Sequence, residues 1–279
     1  MCTTTEPARL SGTILFGKET MHPNGKVVHT MGYQNRAQNL AEGPNAMILP
    51  FPAIPGSMSQ RNVLDTSRCP QILEDMARAL TPRDRGEHSL TFGASRGSSK
   101  VEVFHHGIYT VVLAEDASAI PGALDRVEPD RRPPLNTPIF ETYSEWYPAW
   151  GAIALCCFNN KYARDATPML WWYEPIDPEE LFLPGLDCHT GGIPDLNAHV
   201  RVDHTIAVAS YRMPATSGVH VSYTNPIPES MDPFLSERVT GNQLQMPSVK
   251  NGDFIVNLPS LWEGEIDLIR RNPLGVEGW

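Results

Sequence analysis

Apolar residues recur along this chain mostly in short runs of strand length, and only in places at helical spacing. Two β-rich runs, about Leu10 to Thr20 and Lys26 to Tyr33, flank His22-Pro23-Asn24-Gly25. Asn24-Gly25 supplies the positive φ angles of a tight turn and Pro23 bars strand formation there, which predicts a long hairpin. "NAMILPFP" from Asn45 predicts a short buried strand ended by Pro50 and Pro52. "VEVFHHGIYTVVLAED" reads as a strand broken or bulged at Gly107. "AIALCCFNN" is apolar on both faces, the pattern of a doubly covered central strand holding Cys156 and Cys157. "MLWWYEP", "HVRVDHTIAVAS", "GVHVSY" and "GDFIVNL" are further strands.

The clearest helical stripe is in "TSRCPQILEDMARAL", where Ile72, Leu73, Met76, Ala79 and Leu80 share a face. Thr66 or Ser67 can cap it and Pro70 suits its first turn. "DASAIPGALDRV" reads as a short helix interrupted at Pro121-Gly122. "TPIFETYSEW" begins another with Thr137 as its cap, and "SLWEGEIDLIRR" offers one more near the end. The polar, glycine-rich stretch 81–100 reads as a mobile loop, and 128–136 as a linker-like loop. Strands outnumber helices and connections are short. The expected fold is one α+β domain over 1–279, a mainly antiparallel β-sheet with a few short helices and many proline-rich loops.

Composition sharpens this picture. The 26 prolines argue against a mostly helical protein, since proline breaks helices and removes a ladder donor. A formal charge of −10, without a basic stripe, argues against nucleic acid as a partner. The longest apolar run, from Ala149, is too short for a membrane helix, and no basic segment leads into an apolar core at the amino terminus. Five cysteines (Cys2, Cys69, Cys156, Cys157 and Cys188) without framework spacing suit a reducing compartment. The expectation is a soluble cytoplasmic protein, with no membrane partner.

The order of several pieces resembles an uncharacterised bacterial family of mostly exported proteins. The residues that carry the resemblance are Met31-Gly32-Tyr33-Gln34-Asn35, Gly43-Pro44-Asn45 and "AMILPFP". "GIYTVVLAEDASAIPGAL" and "LFLPGLDCHTGGIPDL" follow in the same order, so the likeness covers roughly 10–210. It departs from the family in lacking an export signal. The resemblance implies a fold and no activity.

Cys2 poses the sharpest chemical question. Freed of Met1, it would join a thiol to an amine that can accept its proton, the device of amino-terminal nucleophile hydrolases. "MCT" resembles the start of the bile-salt and penicillin-V amidases. That family continues with an arginine and an aspartate where this chain has Gly17-Lys18-Glu19-Thr20. Asn225 is the candidate oxyanion-hole residue of this reading. The lead from Cys2 to Arg9 is expected to be mobile, which does not suit a nucleophile.

The remaining candidates are histidines and tryptophans. Neighbouring His105 and His106 face opposite sides of a strand. With His189 and His204 they could ligate a metal only by long-range assembly, and no paired-ligand spacing occurs. No G-x-S-x-G, G-x-G-x-x-G or P-loop occurs, and no cofactor is expected. Trp146, Trp150, Trp171 and Trp172 concentrate in two short stretches. Trp171 and Trp172 must face opposite ways, so the sheet is covered on both sides or exposes one indole, a fair patch for a partner. The leading expectation is a non-catalytic binding or assembly module with a protein or small-molecule partner. A cysteine amidohydrolase using Cys2 is the alternative, and a metal enzyme the weaker third.

Overall fold

The computed structural model describes residues 2–81, 101–162 and 164–278, and the predicted mobile loop lies, but for Thr81, outside them. The chain enters through β1 (Thr3–Thr4) and runs into the predicted hairpin, β2 (Ala8–Met21) and β3 (Val27–Asn39). The two pair antiparallel from Ala8↔Asn39 to Met21↔Val27. Gly25 takes φ +85° in the turn, and its N–H donates to the His22 carbonyl at 2.8 Å. Next come β4 (Asn45–Phe51) and helix α1 (Ile72–Leu80). Beyond the loop, β5 (Val101–His106) and β6 (Tyr109–Ala114) pair antiparallel. The expected break at Gly107 is thus a full reversal, with Gly107 at φ +56°.

Helix α2 (Thr137–Trp146) leads to β7 (Ala152–Phe158), β8 (Arg164–Asp165), β9 (Met169–Tyr173) and β10 (Glu180–Leu183). "HVRVDHTIAVAS" splits into β11 (His199–Val202) and β12 (Thr205–Ser210). Then follow β13 (Val219–His220), β14 (Arg238–Gln243), β15 (Met246–Lys250), β16 (Asp253–Asn257), α3 (Leu258–Trp262) and β17 (Leu268–Arg271).

Among the described residues these strands make two large sheets and two small ones. The first, five-stranded, has the order β1-β4-β7-β6-β5. The second, seven-stranded, runs β13-β14-β12-β2-β3-β8, with β9 also on β3. A three-stranded sheet runs β10-β16-β17, and β11 pairs with β15. Pairing is antiparallel except between β12 and β2, which run parallel. The fold is α+β and mainly antiparallel, as the pattern implied.

Alternation along single strands sends neighbours into different cores. The inner core between the two large sheets holds Leu15, Cys156 and Trp171. Cys157 lies in a second core with Phe140 and Tyr143 of α2. Phe16, Leu170 and Leu73 lie in a third, under α1. The chain therefore stacks α2, sheet, sheet and α1. The central place of β7 explains why "AIALCCF" has no polar face.

Several local expectations need correction. Thr66–Arg68 is a separate 3-10 turn capped by Asp65, whose carboxylate accepts from Ser67 N–H, and α1 starts at Ile72. Thr137 is the first residue of α2, with Asn136 before it. "DASAIPGALDRV" forms two 3-10 turns, Ala117–Ala119 and Pro121–Arg126. "SLWEGEIDLIRR" divides at Gly264, φ +92°, between the end of α3 and the strand β17. The lead from Cys2 is tied down: Thr3 and Thr4 pair with Ile48 and Met47, Thr5 N–H donates to Ala46 O, and Thr3 accepts from the Tyr143 hydroxyl at 2.7 Å. Pairing with β4 supplies the backbone partners that an isolated terminus would lack.

Candidate functional site

The small sheet β10-β16-β17 has two unlike faces. Registers Phe182↔Ile255 and Asp253↔Arg271, with strand alternation, place Glu180, Phe182, Ile255, Asp253 and Arg271 on one side. Leu181, Leu183, Phe254 and Val256 face the inner core. The outer side floors a cavity of about 280 Å³. Its wall comes from the end of α2 and the turn after it, which deliver Trp146, Tyr147 and Trp150.

Aromatic contacts hold this wall. Tyr147 and Trp150 lie with ring centroids 4.5 Å apart, and Trp150 meets Phe182 edge-on at 4.7 Å. Trp146 and Trp150 are half-buried, so each indole presents part of its surface to the cavity. Asp253 ties wall to floor. Its carboxylate accepts from the Tyr147 hydroxyl at 2.9 Å and from the N–H groups of Gly185 and Leu186 at 2.8 and 2.9 Å. Burial pushes the Asp253 carboxyl above its usual range, while those donors and Arg270 pull the other way. Arg270, 1% exposed, lies on the inner side with its guanidinium 4.5 Å from the Phe254 ring centroid. At the rim, Arg271 donates twice to the Glu180 carboxylate, at 2.7 and 3.0 Å. Asp177 is exposed beside this pair, and among the described residues no lysine or arginine lies within ion-pair distance of it.

Two of the four tryptophans singled out from the sequence, Trp146 and Trp150, thus share a cavity, and the other two lie elsewhere. Trp171 is fully buried against Phe51 at 5.1 Å. Trp172, on the opposite face of β9, is stacked on His22 at 4.9 Å and Phe234 at 5.7 Å. Trp171 is thus sealed, while Trp172, although stacked on His22 and Phe234, stays half-buried, so the outcome lies between the two that "WW" left open. The floor residues were not singled out from the sequence. The signal in the sequence was the polar pair Asp253 and Asn257 at one parity, against Phe254 and Val256 at the other, with apolar Ile255 between the polar two.

Cys2 sits in the inner core, 2% exposed, with its thiol facing the Tyr33 phenol. Burial pushes that thiol up to about 11. At neutral pH only about one in ten thousand would be thiolate, the form that attacks carbonyls. Asn225 is not brought to it: its neighbours Tyr223 and Ile227 pack on the third core, beyond the seven-stranded sheet. Cys156 and Cys157 are fully buried, and burial pushes Cys157 to about 12. Cys69 is buried too, and Cys188 alone of the five is half-exposed. One thiol per chain, Cys188, is therefore expected to react with a thiol reagent in the native protein, and Cys188→Ser to leave none. Fast reaction of two or more would contradict this packing.

The four candidate histidines each find a separate partner. His105 pairs with Glu128 at 2.9 Å, and His106 bonds the Pro168 carbonyl at 2.9 Å. His189 lies 3.1 Å from Asp187, and His204 lies 3.6 Å from Asp203. Burial lowers the titration of His106, His189 and His204. Among the described residues no three His, Cys, Asp or Glu side chains gather as a metal site. No described helix is long and apolar enough to cross a membrane.

No protein-family model matches the chain, and no curated protein matches it. Among solved structures it is similar to baculovirus P35 at 12% identity, covering 97% of this chain and 100% of that one, with a TM-score of 0.44. A mutated baculovirus P35 after caspase cleavage matches at 11% identity and TM-score 0.43, covering 96% of each chain. Likenesses that shallow do not bear on what this chain does.

Proposed function

We propose that this protein is a non-catalytic binding module and that the cavity between Trp146, Trp150 and Phe182 holds part of its partner. The observation that carries this reading is that half-exposed aromatic rings converge on an open cavity whose wall and floor are braced by the buried Asp253–Tyr147 bond. Large, stiff aromatic side chains with few rotors lose little entropy on binding, which is why such sites gather them. The hydrolase alternative receives no comparable support. Its nucleophile is sealed in the inner core with a suppressed thiolate, and its candidate asparagine lies on another layer.

The test is a screen of small organic fragments followed by the indole N–H signals in ¹H–¹⁵N spectra. Hits are expected to move the Trp146 and Trp150 signals, to leave Trp171 unmoved, and to lose affinity about tenfold or more in Trp150→Ala. Hits that gather elsewhere, or that are indifferent to Trp150, would sink the proposal.

A further inference from the structure

The charge and the rim of the cavity say more about its occupant. Asp253 feels Arg270 across the sheet, and at the mouth the single guanidinium of Arg271, bonded to Glu180, also acts on Asp177, so the lining there carries one carboxylate in excess. The walls are indole and phenol rings, whose faces carry negative potential. Apolar walls with a carboxylate in excess at the lip suit a group that is both flat or apolar and cationic. The same chain already makes such a pairing. Arg212 lies 4.2 Å over the Trp262 ring, and its Nε sits 3.4 Å from the Glu19 carboxylate. A guanidinium suits this arrangement better than an ammonium, because it is weakly hydrated and stacks on rings. Ile176 lines the mouth, and Leu274 and Val276 flank the lining residues Pro273 and Gly275 in the chain; the three are 45%, 67% and 50% exposed. An apolar collar of that kind is what a protein surface covers, and a small free cation would leave it wet.

We propose that the cavity takes an arginine side chain of a partner protein, its guanidinium against Trp150 and Trp146 and near Asp177, with apolar neighbours of that arginine resting on Ile176, Leu274 and Val276. This inference rests on the pocket reading above.

Three probes test it by titration against the indole signals: n-butylguanidinium, its neutral isostere n-butylurea, and a seven-residue peptide with a central arginine flanked by leucines. Butylguanidinium is expected to bind about tenfold more tightly than butylurea. Asp177→Asn, an exposed change that keeps Oδ1 to accept from Glu179 N–H, should bring the two together. The peptide should bind about tenfold more tightly again, and Leu274→Ser should weaken the peptide alone. Trp150→Phe, which keeps the ring volume better than alanine, should weaken all three. Equal binding of butylurea and butylguanidinium at the indoles would overturn the cationic occupant and leave the pocket reading standing. A peptide no better than butylguanidinium would overturn the protein partner in favour of a small cation. No response of either indole to any probe would overturn both readings.

Discussion

Replacing Asp253 with asparagine is expected to destabilise the protein by about 2–3 kcal/mol, the cost of exchanging a buried carboxylate that accepts three hydrogen bonds for an amide that cannot accept them all. The amide is nearly the same size, so no cavity opens and the change reports charge. What it removes is one acceptor oxygen and the charge that acts on Arg270 across the sheet. That guanidinium is 1% exposed, donates from Nε to the Lys250 carbonyl at 2.6 Å, and is pulled down by burial to about 10 despite Asp253 and Asp187 nearby. With Asp253 neutral, that buried cation loses one of the two carboxylates, Asp253 and Asp187, whose charge supports it. The amide also brings N–H donors to a place where the Tyr147 hydroxyl and two backbone N–H groups already donate. Tyr147→Phe deletes one donor and leaves the charge, and should cost about 1–2 kcal/mol. Denaturant midpoints of the two variants measure both. An asparagine variant within about 1 kcal/mol of the parent would show that these hydrogen bonds do not brace the floor. Because the same carboxylate joins α2 to β16, the asparagine variant should also loosen the Trp146–Trp150 wall and weaken any ligand held there.

The second large effect is loss of stability in mild acid. His29 and His204 are both 0% exposed, and burial lowers each to about 3. In the unfolded chain each returns to about 6.5. Below that pH the unfolded chain takes up protons that the folded chain refuses, so stability falls as pH falls. The contribution of the neutral imidazoles is complete above about pH 6.5 and declines toward pH 3. Between pH 7.5 and 5.5 each should cost about 1.4 kcal/mol, about 3 kcal/mol for the pair. His106 and His189, also lowered by burial, act in the same direction. Asp187, Asp253 and Glu74, raised by burial, act with the opposite sign, so the effect is best read above the ordinary carboxylate range. The measurement is the urea midpoint at the two pH values. An unchanged midpoint would contradict the burial of uncharged histidines.

Both effects come from groups whose importance is invisible in the linear chain, and they mark where reading the sequence stops. The β2–β3 hairpin was legible because its cause is local: Asn24-Gly25 sets the turn, and alternation on either side sets the register. The central position of β7 was legible because "AIALCCF" offers no polar face, and only a strand covered on both sides tolerates that. The general class, mainly antiparallel sheet with short helices, followed from proline density and strand-length apolar runs. The relation of Trp171 to Trp172 was legible as a parity, since neighbours on a strand face opposite ways, but not which indole would be sealed. That depended on Phe51 from β4 and Phe234 from beyond β13, far away in the chain.

The rest was decided by pairings between distant segments. Cys2 became a core residue because β1 found the free edge of β4, a choice that nothing in "MCTTTEPAR" expresses. Glu265 to Arg271 has helix-compatible spacing, yet Leu268–Arg271 became a strand because β16 presented an edge and Gly264 released the chain from α3. The pocket needed three such events: the end of α2, the face of β10-β16, and the register that brings Arg271 beside Asp253. Local chemistry specifies turns and alternation because their energies act within a few residues. Which face is covered, and which charge is buried beside which, is a property of contacts across the whole chain, and only the packed structure assigns them.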